Sequence, residues 1–278
     1  MTTSDGIDLY YEISGKGAPC LFLHGGPGYW SKSFQVFAAP LLEDNLQMIY
    51  LDQRGCGRSA HSSDLNYSLS RLIEDIEEWR EHNGINEMYV MGHSFGGILA
   101  VNYANQYQER TKGIILSNVT LHMYESFEHQ IHRGNELLGN DRQELQRDDM
   151  EGFISNTFSF ISRLMEKDLY YTLQFDNMDN KVLLDSIDKE GIHSDPQFQE
   201  QVLSQKQYFQ DFTDLTENIV KPVLVIAGER DHSVGPTHHT TFRFPDVTTI
   251  ILNSSHHPYL EDPINYRDAI LTFLQTEK

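Results

Sequence analysis

Short runs of apolar residues recur in both end regions of the chain, separated by longer polar or amphipathic stretches. The runs are continuous rather than alternating, which is typical of strands buried on both faces of a parallel sheet covered by helices. The pattern predicts six strands, at 20–24, 48–52, 88–92, 113–118, 222–228 and 248–253. Asp262 followed by Pro263 predicts the start of a last helix, because aspartate caps a helix and proline fits its first turn.

The strand pattern disappears in the middle of the chain, where polar segments compatible with helices and rich in aromatic residues replace it. We therefore predict an α/β fold in three parts. Residues 1–119 form the first part of the core, 120–218 an inserted helical cap, and 219–278 the second part of the core. The insertion is acidic, with 20 Asp and Glu against 8 Lys and Arg in residues 121–218.

Charge and composition narrow the possible partners. The 278-residue chain has a net charge of −20, which repels phosphate backbones and anionic lipids, so we expect no nucleic-acid partner. No stretch approaches the roughly 18 apolar residues that a membrane span needs, and no basic and apolar leader begins the chain. We expect a cytoplasmic protein that binds no membrane; its oligomeric state stays open. Cys20 and Cys56 lack the spacing of a metal site and are expected to be buried.

Residues 90–97 read VMGHSFGG, in which a predicted buried strand gives way to glycines around Ser94. The pattern Gly92, Ser94, Gly96 between a strand and a helix is typical of a sharp turn that exposes a nucleophilic serine at the edge of a sheet. Bulky side chains at the flanking glycines would collide with neighbouring backbone. An ordinary turn is the alternative, but the strand before and the helix after favour a nucleophile.

A serine nucleophile needs a histidine to take its proton and a carboxylate to orient that histidine. In this kind of fold both follow the serine, the acid first. The loop after the strand at 222–228 carries Asp231, with Glu229 as a competitor. The loop after the last strand carries His256 and His257.

A second glycine-rich loop, HGGPG at 24–28, follows the first predicted strand. Acyl transfer develops negative charge on the carbonyl oxygen, and backbone amides stabilise that charge when they approach it closely. We assign these two donors to the amides of Gly26 and Phe95. No step of this chemistry requires a metal or another cofactor, and we expect none.

Taken together, HGGPG at 24–28, DQRGCGRS at 52–59, GHSFGG at 92–97, GERD at 228–231 and SHHPYLEDP at 255–263 resemble the α/β-hydrolase superfamily. Within it, the first two motifs look most like the proline iminopeptidases (prolyl aminopeptidases), which release an N-terminal residue from short peptides. The resemblance implies an α/β-hydrolase fold, a mostly parallel sheet flanked by helices with an inserted helical cap, and it selects His256 as the base. It places Asp52, Arg54 and Ser59 in a turn with a structural role.

The resemblance also implies glutamates that hold the free amino group of the substrate, one of them directly after the triad aspartate. His232 occupies that position here. Two cap acids, Glu200 and Glu217, are candidates to replace it. The departure leaves a carboxylesterase or lactonase, for example one acting on acyl lactones, as the alternative enzyme, and a non-catalytic ligand-binding protein as the alternative of another class.

One segment of the cap places histidines and glutamates along one side of a predicted helix. A metal site needs a geometry that one helix face does not supply, so we interpret this stripe as a solvated face. Its members are His122, Glu125, His129, His132 and Glu136.

Overall fold

The computed structural model describes residues 1–140, 147 and 149–276. In this described part the chain forms a seven-stranded sheet in the order β1-β3-β2-β4-β5-β6-β7. Strand β1 pairs antiparallel with β3, and the other neighbouring strands pair in parallel. The prediction of a mostly parallel sheet flanked by helices is therefore confirmed.

The strands are β1 Tyr11–Gly15, β2 Ala18–Leu23, β3 Leu46–Leu51, β4 Met88–Ser94, β5 Thr111–Val119, β6 Val223–Gly228 and β7 Val247–Leu252. The helices are α1 Lys32–Leu42, α2 Leu69–His82, α3 Gly96–Gln106, α4 Met123–Leu138, α5 Met150–Glu166, α6 Met178–Asp188, α7 Pro196–Ser204, α8 Pro258–Glu261 and α9 Pro263–Thr276. The six predicted strands correspond to β2 to β7. Strand β1 was not predicted.

Both faces of the sheet are covered by helices. Because successive side chains of a strand point to opposite faces, Leu21 and Leu23 pack on one side and Cys20 and Phe22 on the other. The first side joins α2 and α3, and the second joins α1 and α9. This double burial is the physical reason for the continuous apolar runs. Cys20 and Cys56 are both buried and unpaired, as expected.

The segment between β5 and β6 contains α4 to α7 and short 3₁₀ helices, and no strand among its described residues. We call residues 120–218 the cap segment. Its treatment as a separate domain, with 1–119 and 219–278 as the core, stays a prediction. The cap segment follows β5, which pairs in parallel with β4 and ends with Val119 opposite Ser94, so the segment begins next to Ser94.

A buried ion cluster lies behind the glycine-rich turn at 52–59. The Arg54 side chain is fully buried and its guanidinium donates to both carboxylate oxygens of Asp75, at 2.5 and 2.7 Å, and to Asp5. Burial raises the pKa of Asp75, although Arg54 and Arg71 oppose that rise. This arrangement suits a structural role for Arg54.

We expect Arg54→Met to lower the free energy of unfolding by about 3 kcal/mol, because it leaves a buried carboxylate with Arg71 as its remaining cation. Urea denaturation measures this loss. The matched control is Arg243→Met, whose partner Asp214 and own side chain are 67% and 51% exposed, and for which we expect less than about 1 kcal/mol. Equal losses in the two variants would contradict the structural role.

Candidate active site

Ser94 ends β4 and stands at the turn into α3. Its φ is +54°, in the left-handed region that costs a non-glycine residue energy. Such strain is frequent at functional sites, where the surrounding structure holds one residue in place. The side chain is half-buried and lines a cavity at the carboxyl edge of the sheet.

The glycines on either side of Ser94 are required by close backbone approach. A Cβ on Gly92 would lie 2.7 Å from the Gly96 carbonyl oxygen, and one on Gly96 would lie 2.1 Å from the Leu23 carbonyl oxygen. Both distances are shorter than real contacts, so any side chain would displace the turn or β2. The close backbone packing that we expected at the flanking glycines is therefore found in the structure.

Asp231 and His256 lie in contact at the carboxyl edge of the sheet, where Ser94 also stands. Both side chains are buried, and the His256 Nδ1–H donates to Asp231 Oδ2 at 2.9 Å. Asn118 Nδ2 donates to the same oxygen at 2.8 Å, and the Ser233 amide donates to Oδ1 at 2.9 Å. Burial raises the pKa of Asp231, but His256 and these hydrogen bonds outweigh it, so the pKa lies below its ordinary value. The carboxylate is held ionised and oriented.

Glu261 fixes the loop that carries His256. One of its carboxylate oxygens accepts from the Ser255 amide at 2.5 Å, and the other accepts from the Asp176 amide at 2.9 Å. Burial raises the pKa of Glu261 to about 7, against the effect of these amides. The His256 amide itself donates to the Gln174 carbonyl at 3.0 Å. His256 is therefore anchored both to α8 and to the cap segment.

Two further histidines surround His256. The ring centroids of His93 and His257 lie 4.7 and 5.1 Å from that of His256. Burial lowers the pKa of His93 to about 3, and it lowers that of His257 well below its usual range. Both rings are therefore neutral at ordinary pH and add no positive charge beside His256.

The HGGPG loop reaches the serine from β2. A Cβ on Gly25 would lie 2.8 Å from the Ser94 Cβ, so the loop backbone runs directly beside the hydroxyl group. Gly26 and Phe95 both line the cavity. Within the described residues neither of their amides donates a hydrogen bond to the protein. The two amides are thus available to a ligand oxygen.

A single cap carboxylate ties down the end of this loop. Asp188, the last residue of α6, accepts from the Tyr29 hydroxyl at 2.7 Å, from Trp30 Nε1–H at 2.9 Å and from the Ser33 hydroxyl at 2.8 Å. The loop that carries Gly26 is therefore fastened to the cap segment. No local motif in the sequence marks Asp188.

The cavity has a volume of about 580 Å³. Its edge at the sheet is formed by the loop at 25–27, Ser94, Phe95 and His256, and its polar end is formed by Tyr29 and three side chains of α6. Those three are Lys181, Asp185 and Asp188. The rest is largely apolar, and its aromatic side chains from the cap segment are Phe127, Phe158, Tyr170, Tyr171 and Phe175.

The two cap acids chosen from sequence lie elsewhere. Glu217 is exposed at the end of a 3₁₀ segment, with a carboxylate oxygen 3.8 Å from Arg243, and is not among the described residues that line the Ser94 cavity. Glu200 lines a neighbouring depression beside α5 and α7. The acids at the Ser94 cavity are instead Asp185 and Asp188. The charge of a side chain in the sequence does not indicate whether its helix face lines the cavity.

The interpretation of the α4 stripe as a solvated face is wrong for His129, whereas the Glu125 side chain is 41% exposed. His129 Nε2 and His232 Nδ1 share a hydrogen bond of 3.0 Å, and the two rings stack. Glu125 contacts His238 at 3.3 Å. Burial, together with the charge of His232, lowers the pKa of His129 to about 4. The residue after Asp231 thus binds the cap segment.

Two kinds of feature are absent from the part of the chain that the structure describes. No group of three or more His, Cys, Asp or Glu side chains there has the arrangement of a metal site. No helix there combines the length and the apolar character that crossing a membrane requires.

Comparison with known proteins identifies the family. The model of the alpha/beta hydrolase fold family matches residues 19–263. The chain belongs to this family.

Curated relatives of this α/β hydrolase include two proline iminopeptidases. It is 36% identical over 118 residues to that of Saccharolobus solfataricus and 39% identical over 117 residues to that of Neisseria gonorrhoeae. Each match covers 41% of this chain, and 38% and 37% of the relatives' own length. The likeness is therefore to less than half of each relative.

Solved structures resemble this α/β hydrolase over nearly its whole length. A proline iminopeptidase-related protein from Thermus thermophilus has a TM-score of 0.78 and 22% identity, covering 96% of this chain and 93% of its own. The enol-lactonase of Burkholderia xenovorans has a TM-score of 0.71 and 18% identity, covering 96% of each chain. At such identities the likeness shows the shared fold.

Proposed function

We propose that this protein is a serine hydrolase in which Ser94 is the nucleophile, His256 the general base and Asp231 the carboxylate that orients it. The observation that carries the proposal is the 2.9 Å hydrogen bond from His256 to Asp231, together with the position of His256 in the cavity that the strained Ser94 also lines. Strand, turn and helix around Ser94 add the local context that this chemistry requires.

In the proposed reaction, His256 takes the proton of the Ser94 hydroxyl while the Ser94 oxygen bonds to the substrate carbonyl carbon. The amides of Gly26 and Phe95 hold the resulting oxyanion, and Asp231 stabilises the imidazolium. His256 then gives the proton to the leaving group, and an acyl-enzyme remains. Water attacks this ester with His256 again as base, which regenerates the free serine.

For the substrate we propose short peptides with a free N-terminus, as in a proline iminopeptidase. Support comes from the curated relatives and from the carboxylates of Asp185 and Asp188 at the polar end of the cavity. With the single ammonium group of Lys181, that end carries a net negative charge, which suits a substrate amine. Asp188 accepts from three donors, whereas Asp185 is paired with Lys181 alone, so Asp185 is the better candidate for the amine.

We expect Asp185→Asn to lower kcat/KM for prolyl-4-nitroanilide about tenfold, because it removes a charged acceptor and leaves Lys181 to repel the ammonium. The control is Asp179→Asn, an exposed position on the same helix outside the cavity. N-acetylprolyl-4-nitroanilide, which lacks the ammonium, should not show the loss. A loss on both substrates, or in both variants, would argue against amine recognition by Asp185.

A carboxylesterase or lactonase is the second candidate. It is favoured by His232, which stands where the resemblance implies a glutamate and which is hydrogen-bonded to His129. Turnover of p-nitrophenyl butyrate or of an acyl-homoserine lactone, without turnover of prolyl-4-nitroanilide, would select it. The rate of labelling by a fluorophosphonate tests the alternative of another class. If the wild type labels no faster than Ser94→Ala, the protein is the non-catalytic ligand-binding protein.

A further inference from the structure

His257 is a cavity-lining side chain that the proposed reaction does not use. It is 6% exposed, its ring stacks on Phe175 of the cap segment, and it borders the Ser94 cavity. Its Nε2 is buried and has no hydrogen-bond partner among the described residues. An unpaired buried polar atom is costly, so its position beside a catalytic cavity calls for a partner that arrives with the ligand.

The hydrogen bond at Nδ1 of His257 indicates which ring nitrogen carries the proton of the neutral imidazole. Nδ1 lies 2.8 Å from the Tyr259 hydroxyl, which is the one hydrogen bond of that hydroxyl in the described residues. Burial raises the pKa of Tyr259 well above its usual range and lowers that of His257, so the phenol is protonated and the imidazole neutral. If the phenol donates to Nδ1, its proton is satisfied and Nε2 bears the ring N–H. The other tautomer leaves the buried phenol proton unpaired.

We propose that His257 is a specificity-determining residue whose Nε2–H donates a hydrogen bond to an oxygen acceptor in the acyl part of the substrate, beyond the reacting carbonyl. Phe175, which stacks on His257, makes this wall of the cavity apolar, and an apolar wall suits the hydrocarbon chain of an acyl group. The preferred substrates then carry a second carbonyl or a hydroxyl group at that place. The inference rests on the proposed hydrolysis at Ser94, and it holds for a peptide as well as for an ester.

The test uses two esters of equal chain length, p-nitrophenyl 4-oxopentanoate and p-nitrophenyl pentanoate, which differ in one keto oxygen. We expect the wild type to prefer the oxo ester. His257→Phe keeps a flat ring but has no donor, and we expect it to lower the ratio of the two kcat/KM values about tenfold. His257→Gln, whose amide nitrogen reaches a similar place to Nε2, should retain most of the preference.

Tyr259→Phe gives an independent measurement should the phenylalanine variant at 257 fail to fold. Without the phenol, Nδ1 and Nε2 compete for the proton, and the preference for the oxo ester should fall by a smaller factor. A ratio that stays the same in all variants, or an equal loss on both esters, would overturn the proposal. Failure of the peptidase assignment would be seen separately, as ester turnover by the wild type without turnover of prolyl-4-nitroanilide.

Discussion

Ser94→Ala is expected to lower the hydrolysis of p-nitrophenyl esters and prolyl-4-nitroanilide by on the order of 10⁴- to 10⁶-fold, because no acyl-enzyme can form. The two amides at the cavity remain, so a small rate above that of water should persist. Steady-state kinetics and covalent labelling with a fluorophosphonate measure the two consequences, loss of turnover and loss of the labelled site.

A second serine of the same cavity supplies the control. Ser162 lies on α5, lines the cavity and is exposed, so Ser162→Ala changes the wall without touching the proposed nucleophile. We expect its turnover to stay within about threefold of the wild type. Thermal unfolding should be similar in all three proteins. Undiminished turnover by Ser94→Ala would refute the assignment.

Asp231→Asn is expected to lower kcat about 10⁴-fold. The amide would offer its N–H₂ group or its carbonyl where the carboxylate now accepts from His256, Asn118 and Ser233, and the imidazole would lose its fixed tautomer. The proposed control is Glu229→Gln. Glu229 lies two residues earlier in the same loop but is 51% exposed and bound to Arg230, and we expect its replacement to cost less than about threefold in kcat.

The same variant changes the pH dependence of stability. The pKa of Asp231 is lowered in the fold, so its carboxylate stabilises the folded state above the ordinary aspartate pKa of about 3.9. This contribution is lost as the pH falls through the lowered value. The difference in unfolding free energy between the wild type and Asp231→Asn should therefore shrink under acid. Urea denaturation at several pH values measures it.

The buried strands could be predicted because both of their faces are covered, which leaves an uninterrupted apolar run in the sequence. Strand β1, YEISG, has no such run, since it lies at the sheet edge and its side chains are half-buried or exposed. The three residues of the proposed triad could be located because each stands where a strand ends, Ser94 as the last residue of β4 and the other two in the loops after β6 and β7. The carboxyl ends of parallel strands lie at one edge of the sheet, so motifs distant in sequence approach each other there.

The cap residues at the cavity could not be predicted in this way. Glu200 and Glu217 were chosen for charge, but the helix face that meets the cavity depends on how α5, α6 and α7 pack over the core. Asp185 and Asp188 sit on an ordinary amphipathic helix with no motif. The contact between His129 and His232 likewise joins two segments 103 residues apart.

The hydrogen bonds from Tyr29, Trp30 and Ser33 to Asp188 couple the position of α6 to the position of the glycine loop. A displacement of α6 away from the cavity that it lines would also remove the acceptor that holds the glycine loop beside Ser94. An arrangement of α6 that opens this wall of the cavity is therefore one in which the glycine loop has lost its acceptor. Gentle warming that loosens α6 should be felt as falling turnover well before the sheet itself melts.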